Sequence, residues 1–285
     1  MHDFSFNKVA ILGVGLIGAS CALALKEKGL CRTVVGYGRR EEHLQQAKER
    51  AIIDAYSLDS RKACRDADLV ILATPVGLFT GLVEQIHGSL KKGALVTDVG
   101  SVKGTLVQEL EVLMPDGVHY VGAHPIAGGD SSGIGEARAD LFSEALCIVT
   151  PTRRTDPGAT EKIITLWKQI GAKVELLDPE RHDEIYAAVS HLPHIVAYAL
   201  VNTVGDINAE YLTYAGQGFK DTTRIALSSP EMWRDIAILN RENLVRLIEM
   251  IRDNLEHMRN CIDTMDASCI DQEFNKAQAL RKKLK

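Results

Sequence analysis

The sequence predicts an α/β domain on a doubly wound parallel sheet (residues 1–178), followed by an all-α domain (179–285). Three observations carry this expectation. Short apolar runs alternate with helical patterns through the first part, as buried parallel strands and their crossover helices do. A glycine-rich turn follows the first run. After Asp178 no convincing strand pattern returns.

The expected strands are 8–12, 33–36, 69–73, 94–98, 118–121, 146–150 and 173–177. Helical patterns at 16–28, 41–50, 102–113 and 159–170 lie between them, so each crossover is long enough for a parallel connection. The pattern changes at Asp178-Pro179-Glu180, which reads as N-cap, first-position proline and first-turn acid. A second helix start, Ser229-Pro230-Glu231, precedes Met232, Ile236, Leu239, Leu247, Ile251, Leu255, Met258 and Ile262 near helical spacing. These positions predict one long striped helix. Such a stripe suits packing against a second copy, so a homodimer through the helical domain is expected, with a self-contained bundle as the alternative.

Composition narrows the function. Of 285 residues, 46% are apolar and 25% charged, as in a globular chain rather than a disordered or membrane-embedded one. A net charge of −5 and few aromatics (5%) leave no basic, base-stacking surface for nucleic acid. The lead-in before Val9 carries one acid and one base, unlike a signal peptide, so a cytoplasmic protein with no membrane partner is expected. Six cysteines (21, 31, 64, 147, 261, 269) form no C-x-x-C pair and are expected to be reduced thiols; no metal site is expected.

Gly13-Val14-Gly15-Leu16-Ile17-Gly18 stands between the first strand and the first helix, the context a dinucleotide fingerprint requires. Gly13 suits a tight turn, Gly15 lets backbone approach a pyrophosphate, and Gly18 lets helix and strand pack closely. Leu16 and Ile17 then supply N–H groups at the helix's positive end. This is the loop of a Rossmann-type domain. About twenty residues past the last glycine, where an acid usually holds the ribose 2′-hydroxyl of NAD, the chain has Gly38-Arg39-Arg40. Two cations without the carboxylate suit a 2′-phosphate, so NADP is favoured and NAD remains possible, with Glu41 or Glu42 as the alternative ribose ligand. Thr74 and Pro75 end the third expected strand, on the side where such sheets bind cofactor.

Candidate chemistry falls at two further strand ends. Ser101 follows Asp98-Val99-Gly100 and doubles as a helix N-cap candidate. His124 sits in Gly122-Ala123-His124-Pro125, where a base near a substrate hydroxyl could stand. In the helical half, His191 and His194 lie three apart in Ser190-His191-Leu192-Pro193-His194, without an acid or cysteine at metal-ligand spacing. Gln217 and Arg224 belong to a polar, glycine-bearing segment, and Arg224 could grip a carboxylate or simply pair with Asp221.

Six blocks together resemble the prephenate and arogenate dehydrogenases of tyrosine biosynthesis over nearly the whole chain. They are GVGLIGAS at 13–20, ATPV at 73–76, TDVGSVKG at 97–104, GAHPIAGGDSSGI at 122–134, SHLPH at 190–194 and GFKDTTRIA at 218–226. The resemblance implies oxidative decarboxylation of prephenate to 4-hydroxyphenylpyruvate, with hydride transfer from C4 to a nicotinamide; arogenate would give tyrosine directly. It implies that His124 accepts the C4 hydroxyl proton, Ser101 orients that hydroxyl and the nicotinamide, and Arg224 holds a substrate carboxylate. His191 and His194 would line the pocket, and the helical domain would form the dimer. NAD-using members usually carry an acid at the position of Gly38, which again favours NADP. The chain is expected to be a stand-alone dehydrogenase. Within enzymes, a β-hydroxyacid dehydrogenase is disfavoured because 185–201 holds no lysine; the alternative from another class is a non-catalytic dinucleotide-sensing module.

Overall fold

A computed structural model describes residues 5–128 and 133–284. Four residues of the 122–134 block, Gly129 to Ser132, lie outside the described residues. The sheet has eight strands: β1 (Phe6–Leu12), β2 (Cys31–Tyr37), β3 (Ala55–Ser57), β4 (Leu69–Leu72), β5 (Leu95–Asp98), β6 (His119–Pro125), β7 (Leu146–Thr150) and β8 (Lys173–Leu176). Their order is β3-β2-β1-β4-β5-β6-β7-β8. The chain reverses direction across the sheet between β1 and β4, which opens a crevice at the C-terminal ends of those two strands.

Period-two alternation explains the layers. Val9 and Ile11 of β1, with Leu69 and Ile71 of β4, enter one core; Ala10, Leu12, Val70 and Leu72 enter the other. The first core is roofed by α1 (Leu16–Glu27), α2 (Glu41–Glu49) and, further along, α6 (Pro157–Gln169). The second is roofed by α3 (Ser60–Cys64), α4 (Phe79–Ile86) and α5 (Gly104–Val112). Each fully buried aliphatic side chain here contributes about 1.5–3 kcal/mol.

Two departures from the expected sheet stand out. The short edge strand β3 has no apolar run to announce it; it is held by pairing Val35–Tyr37 of β2 with Ala55–Ser57. And β7 runs antiparallel to β6, with His124 opposite Ile148, before β8 returns parallel to β7. A buried strand reads as an apolar run in either direction, so periodicity could not show the reversal.

The helices continue as α7 (Pro179–Tyr186), α8 (Leu192–Asn208), α9 (Gln217–Thr223), α10 (Pro230–Leu239), α11 (Arg241–Asp263) and α12 (Ala267–Arg281). Asp178 caps α7 by accepting from the Arg181 N–H at 2.7 Å, as the sequence predicts. Between α7 and α8, Ala187–His191 form a π-helical turn. Pro193 has no N–H for the carbonyl four residues earlier, and the wider turn accommodates that missing bond. Within Pro179–Tyr214 an 18-residue stretch has a mean hydropathy of 1.2, apolar enough by length and composition to cross a membrane, and 17% of that stretch is buried.

The expected single helix from Pro230 to Ile262 is instead two elements, α10 and α11. The break is at Asn240, whose backbone leaves helical geometry at φ −106°, ψ 32°. Its side chain is buried and serves polar partners described below, and such a side chain competes with helix continuation. Contacts divide the chain into two compact units, Met1–Asn240 and Arg241–Lys285; the second is the α11–α12 hairpin. Within it Cys261 and Cys269 form a disulfide, contrary to the expectation of six free thiols. The turn after α11 brings them together. Cys21, Cys64 and Cys147 are buried free thiols, and Cys31 is partly buried.

Candidate active site

The cofactor crevice follows from local backbone requirements. Gly13 adopts φ +109°, and a Cβ there would stand 2.5 Å from the Ala73 carbonyl oxygen. A Cβ on Gly18 would collide with the Gly13 carbonyl oxygen. The loop is therefore pressed against the end of β4, which brings Thr74 and Pro75 beside it. The Thr74 Oγ1 is buried without a hydrogen-bond partner among the described residues. Helix α1 begins at Leu16 behind Gly15, with no side-chain cap and no acid in its first turn. Its N–H groups at Leu16, Ile17 and Gly18 thus keep their capacity for an anion. A Cβ on Gly15 would meet nothing within 4 Å, so the loop is open where a pyrophosphate would lie. These features fit a dinucleotide.

Arg39 and Arg40 are exposed after β2, and no acidic side chain pairs with either among the described residues. The carboxylate of Glu41, an alternative ribose ligand, accepts from the Tyr56 hydroxyl at 3.2 Å.

At the far side of β5, Asp98 and Lys103 are a fully buried ion pair. The Lys103 ammonium donates to Asp98 Oδ2, to the Gly100 carbonyl at 2.7 Å and to that of Val102 at 3.2 Å. Asp98 also accepts from the Tyr120 hydroxyl and the Ala123 N–H, both at 2.9 Å, and from the Gly100 N–H at 3.0 Å. Every donor of the ammonium is used, as a buried charge requires. The node fastens the loop carrying Ser101 to the strand carrying His124. Ser101 does not take the alternative role of helix N-cap. Helix α5 starts at Gly104, with Lys103 at the cap position and no side-chain cap.

The place of that cap is taken from another helix. Asp183 of α7 accepts the Lys103 N–H at 2.7 Å, at the positive end of α5. A Cβ on Gly104 would stand 2.5 Å from Asp183 Oδ2, so only glycine leaves room. Asp183 Oδ1 also faces His182 Nδ1 at 2.8 Å, and His182 Nε2 faces His124 Nδ1 at 2.8 Å. This chain of contacts assigns the protons. A carboxylate only accepts, so His182 donates from Nδ1 and its Nε2 carries a lone pair. His124 must then donate from Nδ1, which leaves its Nε2 as an acceptor. Tyr186 packs against both rings, with centroids 4.9 and 4.5 Å away, and burial pushes its hydroxyl up to about 12.

The electrostatics agree with a neutral base. Burial, then the neighbouring His182, Lys103 and His191, holds His124 well below the ordinary histidine value. His182 is lowered chiefly by burial, with Asp183 working against that shift. His191 is fully buried; burial lowers it to about 4 while Asp183 opposes the shift. Its Nδ1 receives the Asn240 amide at 3.1 Å, an amide that also donates to the Asp183 carbonyl at 2.9 Å. The main chain of Ser101 lies close enough to influence the same ring. His194 donates from Nδ1 to the Ser190 carbonyl at 2.9 Å and stacks on Trp233, with centroids 3.5 Å apart. Burial lowers it, and the Arg224 charge lowers it further; the short turn Arg224–Leu227 packs against α8.

The structure thus brings together His124, His191 and the Ser101 main chain, and packs the turn that carries Arg224 against the helix that carries His194. Gln217 is exposed on α9, where its amide donates to Asp221 at 2.7 Å; nothing places it with the histidines. Sequence reading missed His182, Asp183, Tyr186, Trp233 and Asn240. A His-Asp pair one turn into a capped helix was the one signal available for the first two, and it is weak.

A family model described as the prephenate dehydrogenase nucleotide-binding domain matches residues 21–176, and one described as the prephenate dehydrogenase dimerization domain matches 178–276. Prephenate dehydrogenase of Bacillus subtilis is 34% identical over 280 residues, covering 96% of this chain and 75% of its own. Cyclohexadienyl dehydrogenase of Zymomonas mobilis is 33% identical, covering 98% and 97%. The structure of Aquifex aeolicus prephenate dehydrogenase, in complex with hydroxyphenyl propionate and NAD+, superposes with a TM-score of 0.92 at 35% identity, covering 99% of each chain. Two adjoining family models over most of the chain, on a doubly wound sheet with this histidine-lined site, have one reading: the chain belongs to the prephenate dehydrogenase family.

Proposed function

We propose that the protein oxidatively decarboxylates prephenate to 4-hydroxyphenylpyruvate, carbon dioxide and reduced nicotinamide cofactor. The observation that carries the mechanism is the ordered chain Asp183–His182–His124, which leaves a neutral imidazole Nε2 as terminal acceptor. A nicotinamide bound at the 13–18 loop would accept the hydride from C4 of the ring.

His124 Nε2 takes the proton of the C4 hydroxyl as the C4–H bond breaks, which leaves a carbonyl oxygen at C4. The resulting imidazolium is stabilised through His182 by the Asp183 carboxylate, as the buried acid does in an acid–histidine pair. Loss of the ring carboxylate as carbon dioxide returns electrons to the ring, and the C4 oxygen recovers the proton from His124. Atoms and charge balance over the cycle. Ser101 is assigned to the same hydroxyl, and Arg224 to a side-chain carboxylate. The uncovered apolar surface of the 179–214 run, within the segment matched as a dimerization domain, supports a homodimer.

Arogenate is the second reading, and one observation favours it. His194 is neutral, with Nε2 as acceptor, and could receive an ammonium; the nearby Arg224 charge opposes that cation. Steady-state rates with prephenate and arogenate, each with NADP and NAD, test the proposal. Prephenate turnover is expected; turnover of arogenate alone would reassign the substrate, and silence with both would overturn the reading.

NADP is the cofactor proposed, on the exposed Arg39 and Arg40 and the missing acid at Gly38. A Cβ on Gly38 would meet Leu44 at an ordinary 3.4 Å, so Gly38→Asp is sterically admissible. That carboxylate should accept from a ribose hydroxyl and repel a 2′-phosphate. With about 1.5–3 kcal/mol for a charged hydrogen bond, the NADP-to-NAD ratio of kcat/KM should fall by about 10–100-fold. An unchanged ratio would remove the 2′-phosphate from this turn.

A further inference from the structure

The second compact unit carries a donor cluster that the proposed reaction leaves unused. His257 and Cys261 stand four residues apart on α11; Cys269 and Glu273 stand four apart on α12. Residues at that spacing share one helix face, so the hairpin turns two pairs toward each other. His257 Nε2 lies 3.9 Å from Cys261 Sγ, 3.8 Å from Cys269 Sγ and 3.7 Å from Glu273 Oε1. The imidazole nitrogen and the two sulfurs all fall within 4.8 Å of one another. Asp266 caps α12 by accepting the Cys269 N–H at 3.0 Å, which fixes where that cysteine begins its turn.

We propose that, with the Cys261–Cys269 disulfide reduced, His257, Cys261, Cys269 and Glu273 bind a divalent ion of the zinc class. A tetrahedral site with bonds of about 2.0–2.3 Å has edges of about 3.3–3.8 Å, which the three separations from His257 approach. Two thiolates with an imidazole and a carboxylate select zinc-like ions over magnesium or calcium, which take oxygen donors. The Lys276 ammonium, 3.7 Å from the other Glu273 oxygen, offers the carboxylate an outer partner. Met258, Ile262, Ile270 and Phe274 line an apolar cleft beside Cys261 and Glu273.

The chemistry balances. A dithiol reductant supplies two electrons and two protons; the S–S bond breaks, two thiols form, and the reductant becomes a disulfide. The ion then displaces the two thiol protons to solvent as two metal–sulfur bonds form. Either state ties α11 to α12, so the hairpin has a disulfide clasp under oxidising conditions and a metal clasp under reducing ones.

The test uses the full chain, reduced with a phosphine, desalted without oxygen and titrated with cobalt(II), then zinc(II). One cobalt per chain is expected, with intense tetrahedral ligand-field bands, a thiolate charge-transfer band, and loss of both on adding zinc. The thiols open to a disulfide reagent should fall by two when zinc binds. Cys269→Ser, at a partly exposed site, should abolish the charge-transfer intensity in large part, and His257→Gln should weaken cobalt binding at least tenfold. A faint octahedral spectrum in the wild-type chain would overturn the proposal, as would tetrahedral bands that persist in a folded Cys261→Ser, Cys269→Ser double variant. Because the wild-type spectrum alone decides the first point, a variant that fails to fold does not protect the idea. None of these readouts depends on dehydrogenase activity.

Discussion

Replacing His124 by asparagine is expected to lower kcat by about 10²–10⁴-fold, the contribution of a positioned general base. Asparagine can keep an N–H directed at His182 Nε2 but has nothing at the position of the histidine Nε2. The variant therefore separates the terminal acceptor from the packing around it. Cofactor affinity, followed by quenching of protein fluorescence, should stay within a few-fold, because the dinucleotide crevice lies at β1 and β4. The wild-type pH profile supplies a second measure. Protonation removes the base, so kcat/KM must fall on the acid side. Burial and the neighbouring cationic and imidazole groups hold the His124 value well below the ordinary 6.5. The acid limb of kcat/KM should accordingly lie below 6.5, with a flat region through neutrality. A limb at or above 6.5 that vanishes in the asparagine variant would contradict the neutral relay.

Lys103→Met should be the most destabilising single change near the site. It leaves Asp98 buried with its three neutral donors and no cation, and breaking a buried pair from one side costs about 3–5 kcal/mol. For a chain of this size the thermal midpoint should drop on the order of 10 °C. Asp98→Asn added to Lys103→Met should recover part of that loss, since no net charge then remains buried. The lysine also lowers His124, so its removal should carry the acid limb of kcat/KM to higher pH. A midpoint within a degree of wild type would mean that the ion pair is dispensable to the fold.

Much of the architecture was readable because it rests on local rules. Apolar runs bounded by turns marked seven of the strands, and the glycine pattern between run and helix located the crevice at its switch point. Ser101, His124 and Arg224 stand out because polar residues at strand ends or in glycine-bearing turns have few structural reasons to be there. What escaped rests on long-range contact. The bond from Lys103 to Asp183 spans 80 residues and that from His124 to His182 spans 58. No spacing rule reaches so far. Asn240 was hidden for a different reason: apolar positions keep helical phase on both sides of it, and the break is explained by buried partners at Asp183 and His191. The thiol cluster was likewise hidden, because its two halves belong to different helices.

The glycine at 104 has a reach that its size conceals. It leaves room for Asp183, which orients His182, which in turn sets the proton on His124. Four positions scattered through the chain therefore form one heritable unit. An alanine at 104 would disturb the base without touching it, and later changes at 182 or 183 would then add little further harm. Arg39 and Arg40, exposed after β2, take no part in that unit, so a change there leaves the proton on His124 where it is.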